Sequence, residues 1–430
     1  MYIKSIKYSG LRSLADFADL TFRYPGDGRE DQRLPNVNVF TGRNGSGKTT
    51  LLQAITAGLQ GSLHAGLIAR SELRRSTIDK AELTADRELD ERDVKAGFAA
   101  QEHLKLSLSR TSYPDVDEFE AQPTRSPSDE HDRTHDDGLS GFVAAYGATR
   151  WAQSAAKYEE WLKREKENVK HYSRRRMRIQ SLFDHSWGMM PPPRWNRNPD
   201  DESFFDILDE KPADERRRKL VAQASAALSV VRAVLEDRAE VKQLGHEGYS
   251  APSEELKIAL HGHSTQADRL PGGYQSVLGW LCDLLGWLTL SCPEGESITA
   301  MTGVVLVDEI ELHLHPEWQR CIVPAVAHAL PNIQFILTTH SPLVVGSVHI
   351  SNVWHLDDDG SSLHIPRQSP SEGHGLNPDR ILLGAWFGLH NLRPPDEDRE
   401  LKRLAEAART GDPKAARDFL RILAGRGDQR

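Results

Sequence analysis

An α/β fold is predicted by three apolar segments that each end in residues able to handle phosphate. The first, Val37 to Phe40, runs into Gly42, Arg43, Asn44, Gly45, Ser46, Gly47, Lys48, Thr49 and Thr50. The second, Val304 to Val307, is wholly apolar and stops at Asp308 and Glu309. The third, Ile333 to Leu337, runs into Thr338, Thr339, His340, Ser341 and Pro342. Apolar runs of this length that stop abruptly in polar chemistry read as buried parallel strands, whose C-terminal ends face a ligand.

From the N-terminus, Met1 to Lys7 reads as a strand, without the apolar core and small-residue cleavage site of a secretory leader. The stretch at 42–49 then fits G-x-x-x-x-G-K-[ST]. Gly42 and Gly47 let the backbone turn tightly, so that successive N–H groups from Asn44 to Thr50 point at phosphate oxygens. Lys48 supplies a point charge to the β and γ phosphates, and Thr49 a hydroxyl ligand for Mg²⁺. Leu51, Leu52, Ile55 and Leu59 are helix-spaced. The positive end of that helix faces the anion. A nucleoside triphosphate, ATP by default, is the implied ligand. The alternative is a plain glycine turn.

Residues 113–138 are rich in Pro, Ser, Asp, Glu and His and read as a flexible acidic loop. His131 and His135 within it have helical spacing, but the neighbouring Asp and Pro do not make a metal site. Gly141 to Gly147 reads as a strand returning to the core, and Arg150 beyond it could reach phosphate or a neighbouring subunit. Residues 151 to about 245 read as helices, with no sustained heptad run for a long coiled coil. Lys163 to Arg178 holds a basic cluster that includes Arg174, Arg175 and Arg176, interleaved with Tyr158, Trp161 and Tyr172. It could bind a nucleic-acid backbone or be a solvated helix face.

In the second carboxylate motif, Asp308 is placed to hold magnesium. Glu309 is placed to orient and deprotonate the attacking water, since phosphoryl transfer asks mainly for positioning and charge stabilisation. His340, at the end of the third strand, can hydrogen-bond a γ-phosphate or that water. Two carboxylates capping an exposed strand end, and an ordinary loop histidine, are the bland alternatives. Beyond them, 352–356 and 362–365 suggest two closing strands, 381–389 an apolar element, and 396–423 two amphipathic helices broken at Gly411, Asp412 and Pro413. The apolar faces of that tail could take a partner or pack back on the head.

The chain has 430 residues, enough for a large core and more than one compact domain usually uses. Four parts are expected: an N-terminal lobe at 1–150, a helical insertion or lid at 151–250, a C-terminal lobe at 251–390 and a helical tail at 391–430. Cys282, Cys292 and Cys321 have no metal-like spacing and read as reduced core or loop residues, Cys282 and Cys321 on helices. The net charge of -9 argues against a surface that coats nucleic acid. Val277 to Leu290, interrupted by Asp283, is too short to span a bilayer, so a cytoplasmic protein is expected.

In this order the motifs resemble the ABC-type ATPase heads of the structural-maintenance, RecF and OLD group, rather than a transporter, a GTPase or a ring-forming AAA motor. The segment Asp308 to Pro316, with Trp318 and Gln319, is similar to the OLD-like and PtuA-like subgroup, much of which serves bacterial defence against phage. The resemblance covers residues 1 to about 60 and about 255 to 390. It implies a mixed sheet with flanking helices, and it places Arg12, in the Leu11-Arg12-Ser13 segment, among the nucleotide-binding residues. It also implies a signature loop at Leu270 to Ser276, in which Gly272, Gly273 and Tyr274 close over ATP bound to a second copy. The serine expected there is replaced by Pro271, which removes one hydroxyl contact. Read without the resemblance, the loop is a Pro-Gly-Gly turn before a core helix.

The resemblance further implies a homodimer with composite ATP sites and magnesium. About 90 residues follow His340, too few for the nuclease domain of OLD proteins, so an effector nuclease is expected in trans. The leading expectation is an ATPase switch of an anti-phage defence system; the alternative is a RecF-like repair clamp that binds DNA when closed on ATP. A transporter subunit is disfavoured by the sequence after Glu309.

Overall fold

The structure, a computed structural model, describes residues 1–28, 34–60, 73–89, 103–110, 117–122, 142–150, 174–184, 269–293, 295–358, 363–368, 378–384 and 394–424, with isolated residues and short stretches between 187 and 266, at 360–361 and at 387. By internal contacts the chain divides into two compact units, Met1–Gly375 and Leu376–Arg430.

The first unit is built on a six-stranded sheet in the order β14-β13-β3-β12-β11-β7. Its strands are β3 (Val37–Gly42), β7 (Val143–Tyr146), β11 (Gly303–Val307), β12 (Ile333–Thr339), β13 (Val353–Asp358) and β14 (His364–Gln368). All neighbours are parallel except β13 with β14. Every residue of β3, β7, β11 and β12 is buried, which explains their near-continuous apolar sequence. Parallel pairing also brings the C-terminal ends of these four strands to one edge, where the three motifs meet.

A second sheet, antiparallel and in the order β2-β1-β4-β5-β6, holds β1 (Tyr2–Ser9), β2 (Phe17–Thr21), β4 (Lys80–Glu88), β5 (His103–Arg110) and β6 (Asp117–Gln122). Helix α1 (Lys48–Gln60) touches strands of both sheets and is buried nearly all round. Its Leu51, Leu52 and Ile55 share one core with Ile3, Ile6, Leu83 and Leu106 of the antiparallel sheet and with Val304, Leu306 and Ile336 of the parallel one. Gln334, fully buried on β12, stitches the sheets together: Oε1 accepts from Ile3 N at 2.8 Å, and Nε2 donates to Ile3 O at 2.9 Å and Arg23 O at 2.7 Å. Both of its polar atoms are partnered by backbone, as a buried amide requires.

Strand β6 corrects the expectation of a structureless acidic loop. It pairs with β5 in a register that sets Phe119 opposite Leu108 and Ala121 opposite Leu106. These apolar residues alternate with acidic ones, the pattern of an edge strand, which the local charge conceals. Positions 113–116 and 123–138, with His131 and His135, lie outside the described residues.

Much of 151–250 also lies outside them. What is described there includes α2 (Arg174–Phe183) but also β8 (Glu240–Lys242), which pairs with β9 (Lys257–Leu260), itself paired with β10 (His263–Gln266). This part of the insertion is therefore not all helical.

Helix α3 (Gly272–Ser291) is buried from Ser276 onward, as its run of Leu and Trp requires. Between the carboxylate motif and β12 lie the short α4 (Pro316–Gln319) and α5 (Ile322–Ala329), and after β12 comes α6 (Pro342–Gly346). Cys282 lies in α3, whereas Cys321 stands just before α5 rather than within it; all three cysteines are free thiols. Among the described residues, no helix is long and apolar enough to cross a membrane.

The second unit contains α7 (Pro378–Leu383), α8 (Pro395–Arg409) and α9 (Pro413–Ala424). Helices α8 and α9 pack on each other across a turn at Gly411, whose φ of +97° suits glycine. Leu401, Leu404 and Ala415 are buried, while Leu420 is exposed.

Candidate nucleotide site

The loop after β3 has the shape its glycines predict. Gly45 and Gly47 have φ of +79° and +91°, conformations that L side chains resist. A Cβ on Gly47 would lie 2.7 Å from both Ser13 Oγ and Leu14 Cδ2, so the Arg12-Ser13-Leu14 segment roofs the loop. Arg75 secures that segment by donating to Leu14 O at 2.7 Å, and β14 secures it through Ala15 N to His364 O at 2.8 Å. Arg12 itself is exposed beside the roof, and Asn44 is exposed on the loop; Ser46 and Thr50 are buried.

Lys48, 6 % exposed, donates to Gly42 O at 3.1 Å and to Arg43 O at 3.0 Å, so its ammonium is held over the loop. Burial lowers its pKa, and the charges of Asp308, Glu309 and Glu311 oppose that shift.

Asp308, 4 % exposed, is fixed at every polar atom. Its Oδ2 accepts from Thr49 Oγ1 at 2.7 Å, its Oδ1 accepts from Thr338 Oγ1, and its N–H donates to Tyr146 O at 2.8 Å. Two hard oxygens side by side, from Thr49 and Asp308, are a donor set that fits magnesium.

Glu309 has a left-handed backbone, with φ of 48°. Its N–H donates to Thr338 Oγ1 at 2.8 Å, and its carbonyl accepts from Arg150 Nη2. Glu311 sits behind, accepting from Thr339 Oγ1 at 2.7 Å and from His340 N. Burial raises the Glu311 pKa. His340 is half-buried, and its pKa is lowered, first by desolvation and then by the Lys48 charge.

Lys48, Thr49, Asp308, Glu309 and His340, widely separated in sequence, are thus brought to one edge of the sheet. Two participants, Thr338 and Glu311, were not singled out from sequence, and a third, Arg150, was expected to face elsewhere. Thr338 bridges Asp308 to the Glu309 backbone, Glu311 holds the peptide of His340, and Arg150 turns inward to carbonyls instead of outward to phosphate or a second subunit. The residues themselves were visible, but their partners are backbone atoms far along the chain, which no local pattern names.

The loop expected to be the signature loop packs on the segment that follows Glu309. Ser276 Oγ donates to Leu312 O at 3.0 Å, a Cβ on Gly273 would lie 3.0 Å from His313 O, and the Tyr274 ring meets Trp318 edge-on at 4.8 Å. Pro271 stands at the N-cap of α3 rather than inside its first turn, and its carbonyl accepts from Tyr274 N at 2.9 Å and Gln275 N at 3.2 Å. No side chain caps this helix. Gly272 follows as its first residue.

The basic cluster is smaller than its charge count. Arg178 is buried, donating to Ser291 Oγ at 2.9 Å and lying 4.9 Å from the centroid of the Phe142 ring. Arg176 donates to Gln180 Oε1 at 3.2 Å. Arg174 and Arg175 begin α2, while 163–173, with Tyr172, and also Tyr158 and Trp161 lie outside the described residues.

Among known proteins, "Retron Ec83 probable ATPase" of Escherichia coli is 38% identical over 157 residues, covering 35% of this chain and 27% of that protein. "Septu protein PtuA" of Bacillus mycoides (strain KBAB4) is 24% identical over 359 residues, covering 83% of this chain and 41% of that protein. The chain spans less than half the length of these curated relatives. Among solved structures, the Smc head domain with an extended coiled coil, bound to the C-terminal domain of ScpA derived from Pyrococcus furiosus, overlaps at 15% identity and a TM-score of 0.48, over 85% of this chain and 96% of that one. The description "AAA domain, putative AbiEii toxin, Type IV TA system" matches residues 37–346, from the strand that feeds the phosphate loop to the helix beyond His340, and the chain belongs to that family of ATPase domains.

Proposed function

We propose that this chain is the ATP-hydrolysing, homodimeric switch of a bacterial anti-phage defence system, controlling an effector nuclease carried by another chain. The observation that carries the reading is the meeting of Lys48, Thr49, Asp308, Glu309 and His340 at one edge of the parallel sheet. The likeness to a protein named Septu protein PtuA across 83% of the chain supports the defence setting.

In this reading Lys48 and the N–H groups of 44–50 hold the triphosphate, and Thr49 and Asp308 hold magnesium. Bound there, magnesium supplies charge neutralisation on the β- and γ-phosphate oxygens. Glu309 takes the proton of a water whose oxygen bonds to the γ-phosphorus. The bond from that phosphorus to the bridging oxygen breaks, and ADP leaves with the electron pair. His340, kept neutral by burial, hydrogen-bonds the γ-phosphate or the water. Gly272, Gly273 and Tyr274 of one copy close over the nucleotide of the other, so hydrolysis loosens the dimer and changes the state of the effector.

The test is an affinity pull-down of tagged Glu309→Gln protein from its native cells with ATP and magnesium, identifying bound protein and nucleic acid together. A stoichiometric nuclease is expected. Recovery of DNA with no protein partner would replace this reading with a repair clamp. Full turnover by Lys48→Ala would remove the ATPase site itself.

A further inference from the structure

We infer that Arg150 is a positioning residue for water activation, acting by fixing the backbone from which Glu309 is aimed. The inference rests on the reading of Glu309 as the general base.

Arg150 stands four residues beyond β7 and is 2 % exposed. Its Nη1 donates to Gly147 O at 3.0 Å and also to Asp308 O, while Nη2 donates to Glu309 O. The planar fork therefore grips two successive carbonyls of the carboxylate turn and ties them to the end of the neighbouring strand. Its Nε is buried without a hydrogen-bond partner.

Glu309 needs such a grip because its backbone is left-handed, a conformation that non-glycine residues adopt only when their surroundings impose it. Thr338 Oγ1 holds the peptide N–H on one side, and Arg150 holds the carbonyl on the other. With both flanking peptides fixed, the direction of the Cα–Cβ bond is fixed, and with it the arc the carboxylate can sweep. Burial is costly for the Arg150 cation, and the carboxylates of Asp308, Glu311 and Glu309 oppose that cost. Lysine would keep the charge but not the two-pronged grip.

Arg150→Lys in the full chain is the informative variant, with Arg150→Gln beside it to remove the charge. Melting temperature, binding of a fluorescent ATP analogue in EDTA, and kcat and KM with magnesium are measured together. For Arg150→Lys, melting is expected to fall as buried carbonyls lose partners, while nucleotide binding by the folded protein stays near the parent and kcat falls by about 10- to 100-fold, the scale on which misplacing a reacting group acts. In single-turnover hydrolysis, adding Arg150→Lys to Glu309→Gln is expected to cause no further loss, because residues that act as a unit are not additive.

Unchanged kcat, a fall in nucleotide affinity that tracks lost stability, or multiplicative losses in the double variant would each overturn the inference. If Glu309→Gln itself keeps full turnover, the reading of the base fails and this inference with it. If Glu309→Gln is slow and Arg150→Lys is not, the inference alone fails.

Discussion

Thr49 Oγ1 donates a 2.7 Å hydrogen bond to Asp308 Oδ2 across 259 residues of sequence, joining the phosphate loop to the carboxylate strand. The contact exists because β12 lies between β3 and β11 in a parallel ladder that brings the ends of all three together. In the proposed reading Thr49 and Asp308 would hold magnesium through these same oxygens, and the metal would supply charge neutralisation there. Asp308→Asn is therefore expected to leave nucleotide binding in EDTA close to that of the parent. The apparent magnesium affinity, read from turnover against metal concentration, should fall by at least about 10- to 100-fold. Equal magnesium dependence in both proteins would mean that Asp308 is not a ligand.

His340 gives a pH dependence whose sign follows from its burial. Its folded-state pKa lies below 6.5, so between that pKa and 6.5 the unfolded chain binds more protons than the folded one. Stability supported by the neutral ring is present above pH 6.5 and is lost as pH falls through that window. Melting temperatures taken from pH 7.5 downward, with pH 6.5 as the model-compound midpoint, should fall more steeply for the parent than for His340→Gln. Parallel curves would show that the ring titrates as it does in water.

Gln334→Leu tests the stitch between the sheets. It keeps the volume roughly but leaves Ile3 N–H and Ile3 O without their side-chain partner, while Arg23 O keeps the bond from Asn38 Nδ2. Unsatisfied buried groups cost about 1–3 kcal/mol each, so urea unfolding should show a loss of at least about 2 kcal/mol. The KM for ATP of the folded protein should not move, because the stitch lies away from the phosphate loop. A stability unchanged within about 0.5 kcal/mol would assign the junction to apolar packing alone.

Pro271→Ser supplies the side-chain cap that α3 lacks. An N-cap hydroxyl contributes about 1 kcal/mol, measurable as a higher melting temperature. If the signature loop closes over nucleotide in a second copy, the variant should also raise the ATP-dependent dimer fraction in sedimentation. Greater stability with no change in association would confine the effect to the helix end.

The parts legible in sequence were those written in local pattern. Apolar runs gave β3, β11 and β12, and the glycine spacing gave the loop whose Gly47 is covered by Ser13 and Leu14. Strand β6 was hidden because charged residues alternate with its apolar ones, which reads locally as a solvated loop. Arg178 was counted with a basic cluster because charge is one-dimensional, whereas the helix turns this residue inward onto Phe142 and Ser291. Thr338 and Glu311 lay in quoted motifs, yet their work is to hold the peptides of Glu309 and His340, and that pairing exists only after the sheet has formed.

If Glu309 is the general base, as proposed, its left-handed backbone sets activity against endurance at one position. Glycine there would release strain of about 1 kcal/mol or more and would cost the carboxylate. A laboratory lineage selected for heat resistance alone would be drawn toward that exchange and would yield robust, inert proteins. Directed evolution of this chain for heat resistance would thus have to screen for turnover at every round, since one gain in robustness lies at the proposed base.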